Sequence, residues 1–170
     1  ETLAENKVLV LYILSSVEEA LTNNNLYKII LSVVDMNYFY FQQFLLDLLE
    51  KDYISISNKE DANLYNITEA GKETLKLTQD MVPGIIKLKI DSNFKDELDN
   101  FENEHSVIAE YTPTDEKNYT VTCKIIDNND TIFEIKTFAG SREQSKEIVD
   151  NWNKNADKMY PAILDILTKK

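Results

Sequence analysis

Cysteine, histidine and glycine are nearly absent from this chain, and each scarcity closes a class of function. One cysteine, Cys123, cannot build an internal disulfide framework, and one histidine, His105, cannot supply the common His/Cys zinc sites. Glycine occurs only at Gly71, Gly84 and Gly140, so there is no glycine-rich loop to cradle a phosphate. No uninterrupted apolar run approaches the roughly 20 residues a membrane helix needs. The opening Glu1-Thr2-Leu3-Ala4-Glu5-Asn6-Lys7 lacks the basic segment leading into an apolar core that marks a signal peptide. Positive charge is scarce as well: 18 basic against 30 acidic residues give a net charge of −12 and a pI near 4.5. That balance argues against phosphate-driven wrapping of nucleic acid and against an anionic membrane surface, while leaving room for a local patch on DNA.

With 43% hydrophobic residues in 170, the chain can bury a real core, as one ordinary domain or two small ones. The expectation is a cytoplasmic protein that contacts no membrane and carries neither cofactor nor metal. Three N-x-[ST] sequons, at Asn66, Asn118 and Asn129, read as coincidence in a chain rich in Asn and Thr.

The first third has helical periodicity. A dense apolar stretch from after Asn6 to near Val17 forms one helix. Thr22 is placed to cap a second, Asn23 to about Val33, in which Leu26, Ile29, Ile30 and Val33 recur at 3–4 spacing. Asp35 or Asn37 caps a third, running to Lys51, with Phe41, Phe44, Leu45, Leu48 and Leu49 on one face. The period then changes. Tyr53, Ile54 and Ile56 read as a strand, residues 58–63 as a polar turn, and Leu64, Tyr65 and Ile67 as the returning strand. Thr68 caps a fourth helix. Three helices, a hairpin and a closing helix make a winged helix-turn-helix over residues 1–82.

Pro83 and Gly84 punctuate the chain. Ile86, Ile90, Phe94, Leu98 and Phe101 then mark a helix from Pro83 to about Glu104. Strands follow around Val107–Tyr111, Tyr119–Ile125 and Phe133–Thr137, with Asp127-Asn128-Asn129-Asp130 as a hairpin loop. Ser141-Arg142-Glu143-Gln144 fits the S-x-x-Q capping box of a long last helix, with Ile148, Trp152, Met159, Ile163 and Leu167 along one stripe and a kink or restart expected at Pro161. Residues 83–170 thus read as an α-β-β-β-α module with an antiparallel three-stranded sheet covered by helices on one face. The fold class is α+β.

Tyr65-Asn66-Ile67-Thr68-Glu69-Ala70-Gly71-Lys72-Glu73-Thr74-Leu75 resembles the Y-x-[IL]-T-x-x-G-x-x-x-L signature of bacterial winged-helix regulators, in which the second wing strand runs straight into the next helix. The opening Leu3–Leu14, Met36-Asn37-Tyr38-Phe39 and Asp150-Asn151-Trp152 resemble something narrower. Together they are similar to an uncharacterised bacterial domain-of-unknown-function family with a winged helix in front of an α/β module. The role this resemblance implies is transcriptional regulation.

In a helix-turn-helix the recognition helix lays its N-terminal side chains on base edges in the major groove. Here that helix is 37–51. Tyr40, Gln42 and Gln43 are the expected readers, since glutamine pairs bidentately with adenine and tyrosine donates to phosphate; Asn37 stands at the helix start. Lys28, Lys51 and, from the wing at 58–63, Lys59 are the expected phosphate contacts, or else ordinary solvated lysines. Asp47 and Glu50 point the other way electrostatically, and residues 1–82 carry six lysines against thirteen carboxylates. Phe39, Tyr40 and Leu46 on the same face have the composition of a protein interface, so a winged helix that contacts protein rather than DNA is the alternative.

An enzyme is not expected. His105 stands alone, Cys123 alternates with Val121 and Ile125 as a small core residue, and no acid/base or metal spacing is recognisable among the carboxylates. In the second half Tyr119, Phe133, Phe138, Trp152 and Tyr160 could line a pocket for a small-molecule effector, or simply fill a core. The surplus length of the last helix, around Met159, Ile163, Ile166 and Leu167, is expected to pair two subunits as a homodimer, or else to pack back on the winged helix.

Overall fold

The computed structural model describes residues 3–100 and 105–169, which form two compact units divided between Glu102 and Asn103. In the first, helix α1 (Leu3–Ser16) is apolar nearly all round, with Val8, Leu9, Val10, Leu11, Ile13 and Leu14 buried. A helix of that kind has no solvent face and must sit inside. Around it pack α2 (Asn23–Val33), α3 (Tyr38–Glu50), α4 (Glu69–Thr78), a single 3-10 turn (Gln79–Met81) and α5 (Gly84–Asn100). The expected caps are in place. Thr22 Oγ1 accepts from the Asn25 N–H at 3.2 Å, Asn37 Oδ1 from Phe39 at 2.7 Å and Thr68 Oγ1 from Gly71 at 3.0 Å, each satisfying an otherwise orphaned donor.

Three antiparallel strands complete this unit in the order β1-β3-β2, with β1 Leu21–Thr22, β2 Ile54–Lys59 and β3 Ala62–Ile67. Strand β1 has only two residues, too short to carry an alternating pattern, and it was not expected from the sequence. Between β2 and β3 the turn is tighter than the 58–63 loop anticipated. Asn58 pairs with Asn63 and Lys59 with Ala62, leaving Glu60 and Asp61 as the two turn residues at φ 52° and 65°. Positive φ at both central positions matches the right-handed twist of the flanking strands.

Helix α5 belongs to this first unit, packing on α1 and α2 through Ile86 and Ile90, whereas the sequence had placed it at the head of the second module after residue 82. Tyr12 on α1 donates its hydroxyl to Asp91 on α5 at 2.9 Å, and the Lys87 ammonium lies 5.8 Å from the same ring. Pro83 and Gly84 mark the start of the helix but not a boundary between units, and of the expected apolar row Ile86 and Ile90 are buried. The side chains of Phe94 and Leu98, with Phe101 and Glu104 altogether, lie outside the described residues.

The junction after α3 carries local strain. Asp52 sits at φ 57°, its N–H bonded to the Leu49 carbonyl at 3.0 Å, and Tyr53 donates to Leu48 at 3.0 Å. That is a Schellman ending with aspartate where glycine is usual. Asp52→Gly should therefore raise the unfolding free energy by about 0.5 kcal/mol, since relief of about 1 kcal/mol of left-handed strain exceeds the entropy glycine adds to the unfolded chain. A higher urea midpoint with an unchanged slope is the expected reading, and a lower midpoint contradicts it.

The second unit is one antiparallel sheet, β4 (His105–Pro113), β5 (Tyr119–Asp127) and β6 (Asp130–Ala139) in that order, with helix α6 (Arg142–Thr168) on one face. Asn128 and Asn129, at φ 48° and 68°, make the expected hairpin turn. Ser141 Oγ accepts from the Gln144 N–H at 3.0 Å, as the capping box predicts, but the return bond falls one residue short of the cap: Gln144 Oε1 accepts from the Gly140 N–H at 2.8 Å, not from Ser141. Val121, Cys123 and Ile125 of β5 are buried under α6, and burial pushes the Cys123 thiol pKa upward. Helix α6 continues through Pro161. Its buried row is Ser145, Trp152, Ala156, Tyr160 and Leu164, not the expected Ile148, Trp152, Met159, Ile163 and Leu167. Both rows contain Trp152 and both fit helical spacing. The observed one wins because it stacks Trp152 on Phe133 at 5.7 Å and brings Tyr160 to 5.1 Å from the same ring.

The fold is thus α+β, with six α-helices and two antiparallel three-stranded sheets among the described residues. None of the described helices is by itself long and apolar enough to cross a membrane.

Candidate nucleic-acid interface

Helices α2 and α3 are joined by four residues, Val34 to Asn37, across which the helix direction turns by 118°. An aromatic knot sets that angle. Tyr27 of α2 stacks on Phe41 of α3 at 4.9 Å and meets Tyr38 edge-on at 5.0 Å, and its hydroxyl donates to the Met36 carbonyl inside the turn at 2.9 Å. Phe41, Phe44, Leu45 and Leu48 are buried as their spacing predicts.

Gln42 does not stand on the border of the outward face. It is fully buried, and its amide exchanges two hydrogen bonds with the buried Asn23 amide at the start of α2: Asn23 Nδ2 to Gln42 Oε1 at 2.9 Å and Gln42 Nε2 to Asn23 Oδ1 at 2.7 Å. Asn23 Nδ2 also lies 3.4 Å from the Tyr65 hydroxyl. A buried amide is tolerated only with its donors and acceptors matched, and this pair matches them reciprocally. Gln42 therefore leaves the list of base readers: reaching a groove would strand Asn23. A glutamine flanked by Phe41 and Gln43 carries no mark in the sequence that separates an inward from an outward amide.

The remaining expected residues reach the surface unequally. Tyr40 is 52% exposed, stacking loosely on Phe44 and edge-on to Phe39. Gln43 is half-buried and donates to Asp47 Oδ1 at 3.3 Å. Asp47 in turn is paired with Lys7 of α1 at 2.8 Å, which offsets one of the two carboxylates on this face; Glu50 is exposed. Asn37 is exposed and spends its side-chain oxygen on the cap. Lys51 and Lys59 are exposed and Lys28 is half-buried, and none forms an ion pair with a described residue. Helix α3 itself contains no lysine or arginine, and the hairpin tip is acidic, with Lys59 one residue behind Glu60 and Asp61.

In the second unit the expected aromatic cluster divides. Trp152 and Tyr160 are core residues against Phe133, and the Trp152 indole N–H donates to the Lys124 carbonyl at 3.3 Å. Phe138 is 65% exposed on the opposite face of the sheet, while Tyr119 packs against Tyr111 at 5.8 Å. Of the four residues expected at a subunit contact, Met159 and Ile163 are half-buried; Ile166 and Leu167 are exposed. No group of three or more His, Cys, Asp or Glu side chains that could hold a metal ion occurs among the described residues.

No curated protein and no solved structure matches the chain. The family model described as Domain of unknown function (DUF4364) matches residues 6–167, and the chain belongs to that family.

Proposed function

We propose that the first unit is a winged helix-turn-helix and that the chain is a dimeric, DNA-binding transcriptional regulator. The observation that carries this reading is the α2–α3 pair. A four-residue connection with a 118° change of direction falls in the range of about 90–120° and 3–4 residues that characterises helix-turn-helix units. The tight β2–β3 hairpin, running through Thr68 into α4, supplies the wing. In this reading α3 enters the major groove, Tyr40 and Gln43 approach the bases, and Lys28, Lys51 and Lys59 hold phosphates. The protein works in the cytoplasm and performs no catalysis.

Sparse positive charge gives the proposal a quantitative signature. Three lysines in each of two protomers neutralise six phosphates, so the logarithm of affinity should fall against the logarithm of salt with a slope of about −5. Changing Lys51 to alanine in the dimer should flatten that slope by about 2 without altering sequence preference. Fluorescence anisotropy on a selected duplex between about 50 and 200 mM salt reads both quantities. A slope unchanged in the variant removes Lys51 from the interface.

The absence of any cation from α3, beside the exposed Tyr40 and half-buried Phe39, favours a second reading in which the same face docks a protein. The two readings separate on salt: a protein contact through aromatic side chains depends on it weakly.

A further inference from the structure

We infer that strand β6 is the seam of the dimer, pairing antiparallel with β6 of a second copy to make one six-stranded sheet. This rests on the dimeric reading above and assigns it a surface. Among the described residues nothing pairs with the outer edge of β6, and this edge is the less protected of the two in its sheet. Helix α6 packs mainly over β4 and β5, so on the helix side of β6 Ile135 is 42% exposed and Thr137 is exposed, while β4's Val107, Ala109 and Tyr111 are half-buried. A ten-residue edge strand with an uncovered isoleucine is a template for another strand.

The occupant is argued from charge. A two-fold axis that continues an antiparallel sheet lies perpendicular to it, and directly opposed residues share a face, so the two numbers in each pair have the same parity. Centring the pairing on Ile135 sets Ile135 against its own copy, Glu134 against Lys136 of the second copy, and Lys136 against that copy's Glu134. Sliding by one pair in either direction sets glutamate against glutamate or lysine against lysine. Of these three registers only the one centred on Ile135 is self-complementary. It also extends a row that already exists: Lys124 lies opposite Glu134 in the β5–β6 register, 3.6 Å from its carboxylate, and Lys136 of the second copy would flank that carboxylate from the other side. On the helix side, Ala109, Cys123 and Ile135 form an apolar row that the second copy continues.

The test is sedimentation equilibrium of the full chain and three variants. K136E leaves the Lys124–Glu134 pair intact, removes the exposed Lys136–Glu134 pair of its own strand at 3.3 Å, and opposes glutamate to glutamate twice by symmetry, so it should weaken the dimer by about tenfold or more. E134K/K136E restores opposite charges across the seam while setting lysine against lysine at positions 124 and 134 within each copy, and should recover part of that loss. The third variant, I166D/L167D, should leave the dimer intact. A wild-type chain that stays monomeric at about 100 μM, a concentration at which interfaces of ordinary affinity are filled, overturns the seam and the dimeric reading together. A dimer indifferent to K136E but lost in I166D/L167D overturns the seam alone and transfers the contact to the end of α6. A dimer weakened by K136E and not recovered in the double variant overturns the register.

Discussion

Replacing Gly71 with alanine is expected to lower the unfolding free energy by about 3 kcal/mol, the upper end of what forced overpacking usually costs. An added Cβ would lie 2.1 Å from the Tyr53 carbonyl oxygen and 2.8 Å from Ile67 Cγ1. The backbone oxygen cannot retreat freely, because it accepts the Thr68 N–H at 3.0 Å, and Thr68 Oγ1 donates to the neighbouring Asp52 carbonyl at 2.6 Å while capping α4. The glycine of the T-x-x-G signature is therefore required by close packing of α4 on the chain leaving α3, not by a special backbone angle. Gly84→Ala is the control: its added Cβ meets nothing within 4 Å, and stability should hold or rise. Equal losses in the two variants, measured by urea unfolding, would remove the close-packing explanation.

The second large effect is at Gln42. Gln42→Leu should cost about 2–3 kcal/mol, because it takes both reciprocal partners from a buried asparagine and leaves polar atoms without water. Asn23→Ala should cost a similar amount. The double variant should lose less than the sum by about 1–2 kcal/mol, since the second change removes a group already stranded. Strict additivity would mean that the two amides are not coupled in solution. The pair ties the first turn of α2 to α3, so it holds the angle between these two helices from inside, as the Tyr27, Tyr38 and Phe41 rings do beside it.

Elements fixed by neighbours in sequence were legible without coordinates. Thr22, Thr68 and Ser141, and one of Asp35 and Asn37, are recognisable as caps because a capping oxygen bonds two or three residues ahead, and the two hairpins from polar residues between β-patterned runs; the structure gives the third cap to Asn37. What escaped was decided by distant partners. Strand β1 exists because Leu21 and Thr22 meet Tyr65 and Leu64, forty residues on. Helix α5 joined the first unit because α1 and α2 offered it an apolar surface. Helix α6 has two defensible apolar rows, and Phe133 chose between them. At the candidate interface the sequence locates the helix α3 and the β2–β3 hairpin but misplaces Gln42, because an amide reads alike whether it meets a base or another amide.

The remaining face of α3 is unusual for a DNA reader: a tyrosine, a glutamine tied to Asp47, and cations only on flanking elements. If this face reads DNA, specificity comes from few contacts per protomer and depends on two protomers acting together, which makes the β6 seam part of the reading device.

Whether this chain recognises DNA is decided by selection from a random duplex library with the full chain, repeated at about 50 and 200 mM salt. One two-fold symmetric sequence should be enriched and survive the higher salt, with half-sites separated by about one helical turn or a multiple of it. Failure to enrich any sequence at either salt, by protein shown to be folded, would contradict DNA recognition and leave Tyr40 and Phe39 as the centre of a protein-docking face.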